Sequence, residues 1–216
     1  MKILNLYAGV GGNRKHWKNC EVTAVEFRED IAIAYADMYP DDTVIIGDAN
    51  KYLEENYKEF DFIWSSPPCQ THSRMRHNLG VKGKGFAPQL PDMSLYSQIV
   101  FLQHNALPYQ RWVVENVNPY YEPLIPAPLI QRHRYWSNFK ISDKRFDSDR
   151  LRSAQIKELQ EHHGIDLSKY KIKEKRQVLR NCVHPNMGLH VMNELFYHFA
   201  HVQAIEENEQ REINNK

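Results

Sequence analysis

Lys2-Ile3-Leu4-Asn5-Leu6-Tyr7-Ala8-Gly9-Val10-Gly11-Gly12-Asn13 is the stretch that decides the fold class. Lys2 to Tyr7 reads as a short buried strand, Ala8 to Asn13 as a glycine-rich turn, and a helix is expected from Arg14. Strand, turn and helix in that order make the nucleotide-binding opening of a doubly wound α/β sheet. Glycines let the backbone approach a ligand closely, and a helix start offers free N–H groups. The spacing is Gly9-x-Gly11-Gly12, with no third glycine at the dinucleotide offset, which disfavours a nicotinamide-dependent dehydrogenase. Standing alone, a glycine-rich turn is often no more than a tight turn.

The following strands add to it. Glu21 to Glu26 ends in a carboxylate, where the hydroxyls of a ribose are held in such sheets; the ordinary alternative is a glutamate opening the helix expected over Phe27 to Tyr39. Thr43 to Ile46 is a third strand and runs into Gly47-Asp48-Ala49. Asp48 suits an exocyclic amine such as adenine N6, and suits equally the N-cap of a helix over Lys51 to Tyr57. Phe60 to Trp64 is a fourth strand and stops at Ser65-Ser66-Pro67-Pro68-Cys69-Gln70. A cysteine therefore sits just past a strand's carboxyl end, where chemistry collects in open α/β sheets. A lone cysteine is more commonly buried and inert. Arg111 to Val114 is a fifth strand ending in Glu115-Asn116-Val117, in the same row as Cys69. A buried carboxyl there has its pKa raised and donates a proton near neutrality. One such strand end is cheap; several in register along one edge point to a site.

Composition bounds the rest. A chain of 216 residues suits one domain with a sizeable core, and a net charge of +1 does not announce a polyanionic partner, so local charge must carry that argument. Thr71 to Gln89 holds Arg74, Arg76, Lys82 and Lys84 and no acidic residue; it reads as a glycine-containing loop suited to phosphate, with a solvated surface loop as the alternative. Ser94 to Leu107 reads as a helix with an apolar face. Three cysteines without a C-x-x-C fit a reducing compartment and argue against a disulfide framework. Cys20 and Cys182 read as small hydrophobes, and the four tryptophans as packing. His162, His163, His184 and His190 show no metal-ligand spacing, so no metal is expected. No signal peptide is visible and no apolar run reaches membrane-spanning length. Glu206 to Lys216 reads as a frayed polar tail.

Tyr7-Ala8-Gly9-Val10-Gly11-Gly12, Pro67-Pro68-Cys69-Gln70 and Glu115-Asn116-Val117 resemble three signature motifs of the C5-cytosine DNA methyltransferases, in the family's order. Arg132-His133-Arg134-Tyr135 resembles its Arg-x-Arg motif, although the usual glutamine is one residue displaced, at Gln131. Asn181-Cys182-Val183-His184-Pro185 resembles its Asn-containing C-terminal motif, whose helix returns beside the first. Glu115 and Arg132 are closer than the family has them, so a helix–strand unit is missing or shrunken, and Pro119, Pro123, Pro126 and Pro128 suggest an extended connection instead. The resemblance implies a Rossmann-like S-adenosylmethionine-dependent methyltransferase fold, a doubly wound, mostly parallel α/β sheet with a small basic helical insertion. The catalytic domain is expected over 1–141 and 179–205, a reduced target-recognition segment over 142–178, and the tail over 206–216. Helical pieces are expected at Leu151 to His162 and Lys169 to Val178.

The resemblance also implies roles. Cys69 adds to cytosine C6, Glu115 relieves charge at N3, and Arg132 or Arg134 holds the base or the carboxylate. Tyr7, Ala8, Gly9, Val10, Gly11, Gly12, Glu26, Asp48, Ala49, Pro67 and Asn181 are the expected S-adenosylmethionine contacts. Gln70, Ser73, Arg74, Arg76, Lys82 and Lys84 are the expected nucleic-acid contacts. The expected substrate is DNA, duplex or single-stranded, with a flipped cytosine. The alternatives are RNA and a non-catalytic or partner-dependent nucleic-acid-binding subunit. The expected location is the cytoplasm of a bacterial or phage-infected cell.

Overall fold

The computed structural model describes residues 1–83, 87–146 and 153–214. One sheet contains β1 (Lys2–Leu6), β2 (Glu21–Glu26), β3 (Thr43–Ile46), β4 (Phe62–Ser65), β5 (Arg111–Val117), β6 (Leu129–Ile130) and β7 (His133–Ser137). Its order is β3-β2-β1-β4-β5-β7-β6. The strands from β3 to β5 are parallel, and β7 is antiparallel to both its neighbours. This is the Rossmann-like, mostly parallel sheet expected from the resemblance. The chain reverses its winding between β1 and β4, which creates the crevice where such sheets bind ligands.

The helices are α1 (Glu29–Met38), α2 (Ala49–Asn56), α3 (Arg74–Val81), α4 (Ser94–Asn105), α5 (Ile156–His163), α6 (Lys175–Asn181) and α7 (Pro185–Asn214). Strand side chains alternate between two covered faces, which is why β4 is buried throughout. Ile3, Val22, Phe62, Trp64 and Tyr135 pack with Trp17 against Met187, Val191 and Leu195 of α7. Leu4, Leu6, Ile63, Trp112 and Trp136 pack on the other face against Leu53 of α2 and Leu95, Ile99 and Leu102 of α4. All four tryptophans thus lie in the two main cores.

Three expectations change. The helix expected from Arg14 is a single 3₁₀ turn, Asn13–His16. Helix α7 occupies the space beyond it: a Cβ on Gly188 would come 2.1 Å from the Asn13 carbonyl oxygen. Arg14 pairs with Asp42 at 2.8 Å in a largely covered position. The loop expected over Thr71 to Gln89 contains α3, because the Ser73 side chain accepts from the Arg76 N–H and caps a helix. The frayed tail continues α7, which runs to Asn214. Between β5 and β7 the chain forms only the two-residue β6; Trp136 Nε1 donates to the Ile125 carbonyl at 2.8 Å and pins the proline-rich connection.

Residues 142–178 do not stand apart from the body. Leu159, Ile165, Leu167 and Val178 form one apolar cluster with Val10 and with Ile31 and Ala34 of α1. Several of the segment's basic groups are engaged locally. Lys169 pairs with Asp37 at 2.6 Å, and Arg176 Nε donates to the Ala154 carbonyl at 3.0 Å. Arg150 and Arg152 lie outside the described residues.

Candidate active site

The turn after β1 is built for close approach. Tyr7, Gly9 and Gly11 all have positive φ, and Gly9 has open space where a side chain would stand. Gly11 is tight, because a Cβ there would come 2.3 Å from the Tyr39 ring. Ala8 and Val10 are buried, and Gly12 backs onto the Cys182 sulfur, 2.2 Å from where its Cβ would be. At the end of β2, Glu26 Oε2 accepts from the Gly9 N–H and Oε1 from the Arg28 N–H, both at 2.9 Å. Two fixed backbone donors aim this carboxylate and leave lone pairs for a ligand's hydroxyls. Asp48 is exposed at the end of β3 and caps α2, accepting from the Lys51 N–H at 2.9 Å, so the capping alternative holds. Ala49 and Pro67 are buried beside this row. Gln98 of α4 donates to the Tyr7 hydroxyl at 2.6 Å, and burial pushes the Tyr7 phenol up to about 12, so it stays protonated. An unobstructed glycine turn at the winding reversal, with an oriented carboxylate on the next strand, fits S-adenosylmethionine.

Cys69 follows the end of β4, and Glu115 lies on the neighbouring β5, close enough for its charge to act on the thiol. Ser65 pairs with Val114, so Glu115, still inside β5, stands one residue past the last position that pairs with β4. Asn116 Nδ2 donates to the Pro67 carbonyl at 2.9 Å and ties the β5 end to the turn that carries the cysteine. Burial pushes the Cys69 thiol up to about 11, with Glu115's charge second in the same direction. Glu115 is 6% exposed, and burial pushes its carboxyl up to about 7; Ser66 pulls the other way as a hydrogen-bond partner. Its Oε2 is buried with no partner. This row therefore holds a neutral thiol beside a half-protonated acid near pH 7.

The Glu115 carboxyl has a stability signature. The folded chain keeps a proton between pH 4.5 and about 7 that the unfolded chain has lost, so stability falls as pH rises through that window. Glu115→Gln is expected to increase the unfolding free energy above pH 7 by up to about 3 kcal/mol, and to change it little near pH 4.5. Urea unfolding at pH 5 and pH 8 checks this.

The Arg-x-Arg reading needs correction. In the β5–β7 ladder Glu115 pairs with Tyr135, and Asn116 with Arg134. Partners across a ladder share a face. Arg134 is therefore on the face away from Glu115, where its Nε donates to Asn118 Oδ1 at 3.0 Å and its Nη1 to the Ala127 carbonyl at 2.7 Å. Arg132 does line the cavity next to Glu115, which measures about 90 Å³. Tyr135, Arg180, Asn181 and Cys182 line it too. Burial pushes the Cys182 thiol up to about 12, as suits a small hydrophobe. Asn181 is exposed and accepts from Gln177 Nε2 at 2.8 Å. Sequence reasoning passed over Tyr135, whose place is set by pairing register, and Arg180, which sits one residue before a recognised motif.

The rings of His162, His163 and His184 cluster at the same cavity, with centroids 4.6 to 6.0 Å apart. Burial pushes His163 and His184 down to about 4, so both are neutral near pH 7. Among the described residues, no group of three His, Cys, Asp or Glu side chains is arranged to hold a metal.

The residues after Cys69 are stitched to the β5 exit. Tyr120 N–H donates to the His72 carbonyl at 3.1 Å, and Arg74 Nε to the Pro119 carbonyl at 2.7 Å. Ser73 caps α3, while Gln70, Arg74 and Lys82 are exposed and Arg76 is half-buried. Lys84 lies outside the described residues.

No curated protein sequence matches this chain. Solved structures similar to it include a mutant of Spodoptera frugiperda DNMT2, at 23% identity and TM-score 0.40, covering 54% of this chain and 35% of that one. Others are a putative DNA modification methyltransferase of an Escherichia coli prophage, at 20% identity and TM-score 0.37, covering 55% and 32%. An Agrobacterium tumefaciens SAM-dependent methyltransferase matches at 16% identity and TM-score 0.40, covering 56% and 40%. The chain thus spans about a third of the DNMT2 structure's length. A family match places S-adenosylmethionine as the methyl donor. Residues 1–100 match the model of the C-5 cytosine-specific DNA methylases, the family to which Tyr7–Gly12 and Pro67–Gln70 pointed.

Proposed function

We propose that the protein is a DNA (cytosine-5)-methyltransferase that acts on a flipped or single-stranded cytosine. The observation that carries this reading is the buried Glu115 on β5, close enough to Cys69 past the end of β4 for its charge to act on the thiol, beside the glycine turn of β1. Cytosine C5 is a weak nucleophile until a thiolate adds at C6 and makes the ring enamine-like. Cys69 is the thiol in this reading. As negative charge builds on the ring, Glu115 gives its proton to N3; a carboxyl near pH 7 is poised for that transfer. S-adenosylmethionine, when bound, supplies the electrophilic methyl group. Glu26 would hold its ribose and the Gly9–Gly12 turn would lie along it, with Asp48, Ala49 and Pro67 toward the adenine and Asn181 closing the far side. Arg132 is read as steadying the base, and Gln70, Ser73, Arg74, Arg76, Lys82 and Lys84 as meeting the nucleic-acid backbone. The compact 142–178 segment leaves little surface for reading sequence, so a partner protein that supplies recognition belongs to the same reading.

The test is methyl incorporation from labelled S-adenosylmethionine into duplex DNA, single-stranded DNA and RNA, with the methylated base identified after hydrolysis. Label in 5-methylcytosine of DNA is the expected outcome. Label in RNA alone would replace the substrate, and label on an exocyclic amine would remove the C5 chemistry.

A further inference from the structure

Nitrogen donors and cations gather around the cavity beside Glu115. Arg132, in the turn before β7, and Arg180, near the end of α6, both line it. Neither pairs with a carboxylate among the described residues. His133 of β7, His162 and His163 at the end of α5, and His184 just before α7 line it as well. The carboxyl in this lining is Glu115, half-protonated near pH 7. We propose that this cavity binds a phosphate group of the nucleic-acid substrate. The source of the phosphate rests on the methyltransferase reading; the anion chemistry of the cavity does not.

Three observations support the assignment. His163 is 4% exposed, and its Nδ1 is buried with no hydrogen-bond partner. The ring's hydrogen bond goes to the Leu179 carbonyl, which leaves Nδ1 over. A buried polar atom without a partner is costly, and a ligand oxygen beside it removes that cost. Once an anion lies in the cavity, Nδ1 takes up a proton and donates to it. Second, positive charge converges on this corner. Lys15 Nζ donates to the His163 carbonyl at 2.9 Å, and the rings of His162, His163 and His184 lie 4.6 to 6.0 Å apart. Burial first, then the Arg132 charge, push His133 down to about 4, a proton deficit that an anion would relieve. Third, about 90 Å³ holds about six waters, which is room for a phosphate group. Joining α5 to α7 by packing would need only apolar rings, with neither a buried unpartnered nitrogen nor two arginines that lack a carboxylate.

The site gives the compact 142–178 segment a task. Its α5 and α6, with the lead into α7, would grip the strand's backbone rather than read its bases.

The test needs no methyl donor. Histidine ring ¹H–¹⁵N spectra of the full chain are followed at pH 7 during titration with inorganic phosphate, deoxycytidine 5′-monophosphate or deoxycytidine. Saturable shifts of the His163 and His184 ring signals are expected with phosphate and with the nucleotide, the nucleotide binding at least about tenfold more tightly than the nucleoside. Arg180→Gln is expected to weaken both anions by about tenfold, and Lys58→Gln, at an exposed site on the turn before β4, to leave them unchanged. Equal affinity for nucleoside and nucleotide would overturn the proposal, because the cavity would then take the base. So would unmoved ring signals with both anions, or affinities in Arg180→Gln equal to those of the wild type. Shifts with inorganic phosphate but not with the nucleotide would assign the cavity to the free ion and overturn the nucleic-acid source. If circular dichroism shows that Arg180→Gln is unfolded, Arg132→Gln, at an exposed position, takes its place under the same criteria. Failure of the methyl-transfer assay leaves the anion readout standing, so the two proposals fail separately.

Discussion

Cys69→Ala is expected to reduce methyl transfer by about 10⁴-fold or more, with binding of the methyl donor unchanged. Removing the nucleophile of a covalent enzyme commonly costs several orders of magnitude, because the remaining groups have no bond-making step to assist. The separation between catalysis and binding follows from the structure. The proposed donor crevice is the β1 turn, Glu26 and the β3 end, whose described hydrogen bonds do not involve the Cys69 side chain. Alanine in place of a half-buried cysteine leaves the Asn116–Pro67 bond intact, so the turn keeps its position. Labelled transfer and calorimetric titration with S-adenosylmethionine check the two halves. Undiminished incorporation in Cys69→Ala would remove the covalent mechanism.

Gly188→Ala is expected to destabilise the protein and to weaken methyl-donor binding together. In a helix interior alanine gains about 1 kcal/mol over glycine. Here that gain is overwhelmed, because the new Cβ would come 2.1 Å from the Asn13 carbonyl oxygen and 2.6 Å from its Cα. Both sides of this contact are backbone, so no side chain can rotate aside. Overpacking of this kind costs about 3 kcal/mol, for a net loss of about 2. A chain of this size loses roughly 2–4 °C of melting temperature per kcal/mol. Trp17 Nε1 donates to the Gly188 carbonyl at 3.1 Å, and that bond stretches as α7 is pushed away. Displacing Asn13 also strains the buried Asn13–Asn5 pair, which donates at 2.8 Å and anchors the glycine turn to β1. Gly47→Ala is the control, because its Cβ meets only the Ile45 side chain, at 3.9 Å. A melting temperature for Gly188→Ala equal to that of Gly47→Ala would contradict the packing argument.

The residues whose role depends on local chain direction were legible in the sequence. β2 and β3 match their expected ranges to the residue, because each apolar run is bounded by an abrupt change of composition. The strand-end positions of Glu26, Asp48 and Cys69 follow from the same punctuation, whereas β5 runs on through Glu115 to Val117. What was not legible depends on long-range pairing. Arg134 and Tyr135 are neighbours in sequence, and only the β5–β7 register decides which of them faces Glu115. The short turn at Asn13–His16 is set by α7, which arrives some 170 residues later in the chain. Helix α3 was hidden because its polar, basic residues bury nothing, and its only local signal was a serine cap. Arg180 was overlooked because its neighbours belong to a motif and it does not.

The shared cluster of Val10, Ile31 and Ala34 with Leu159, Ile165 and Leu167 bears on how this scaffold can be altered. A recognition element joined by linkers can be exchanged like a cassette. Here, cutting out the segment would strip cover from Val10, in the middle of the glycine turn, and leave α1 with a bare apolar stripe. Any new reading head grafted onto this chain must therefore keep those three leucine and isoleucine side chains and be inserted into the exposed loops around them.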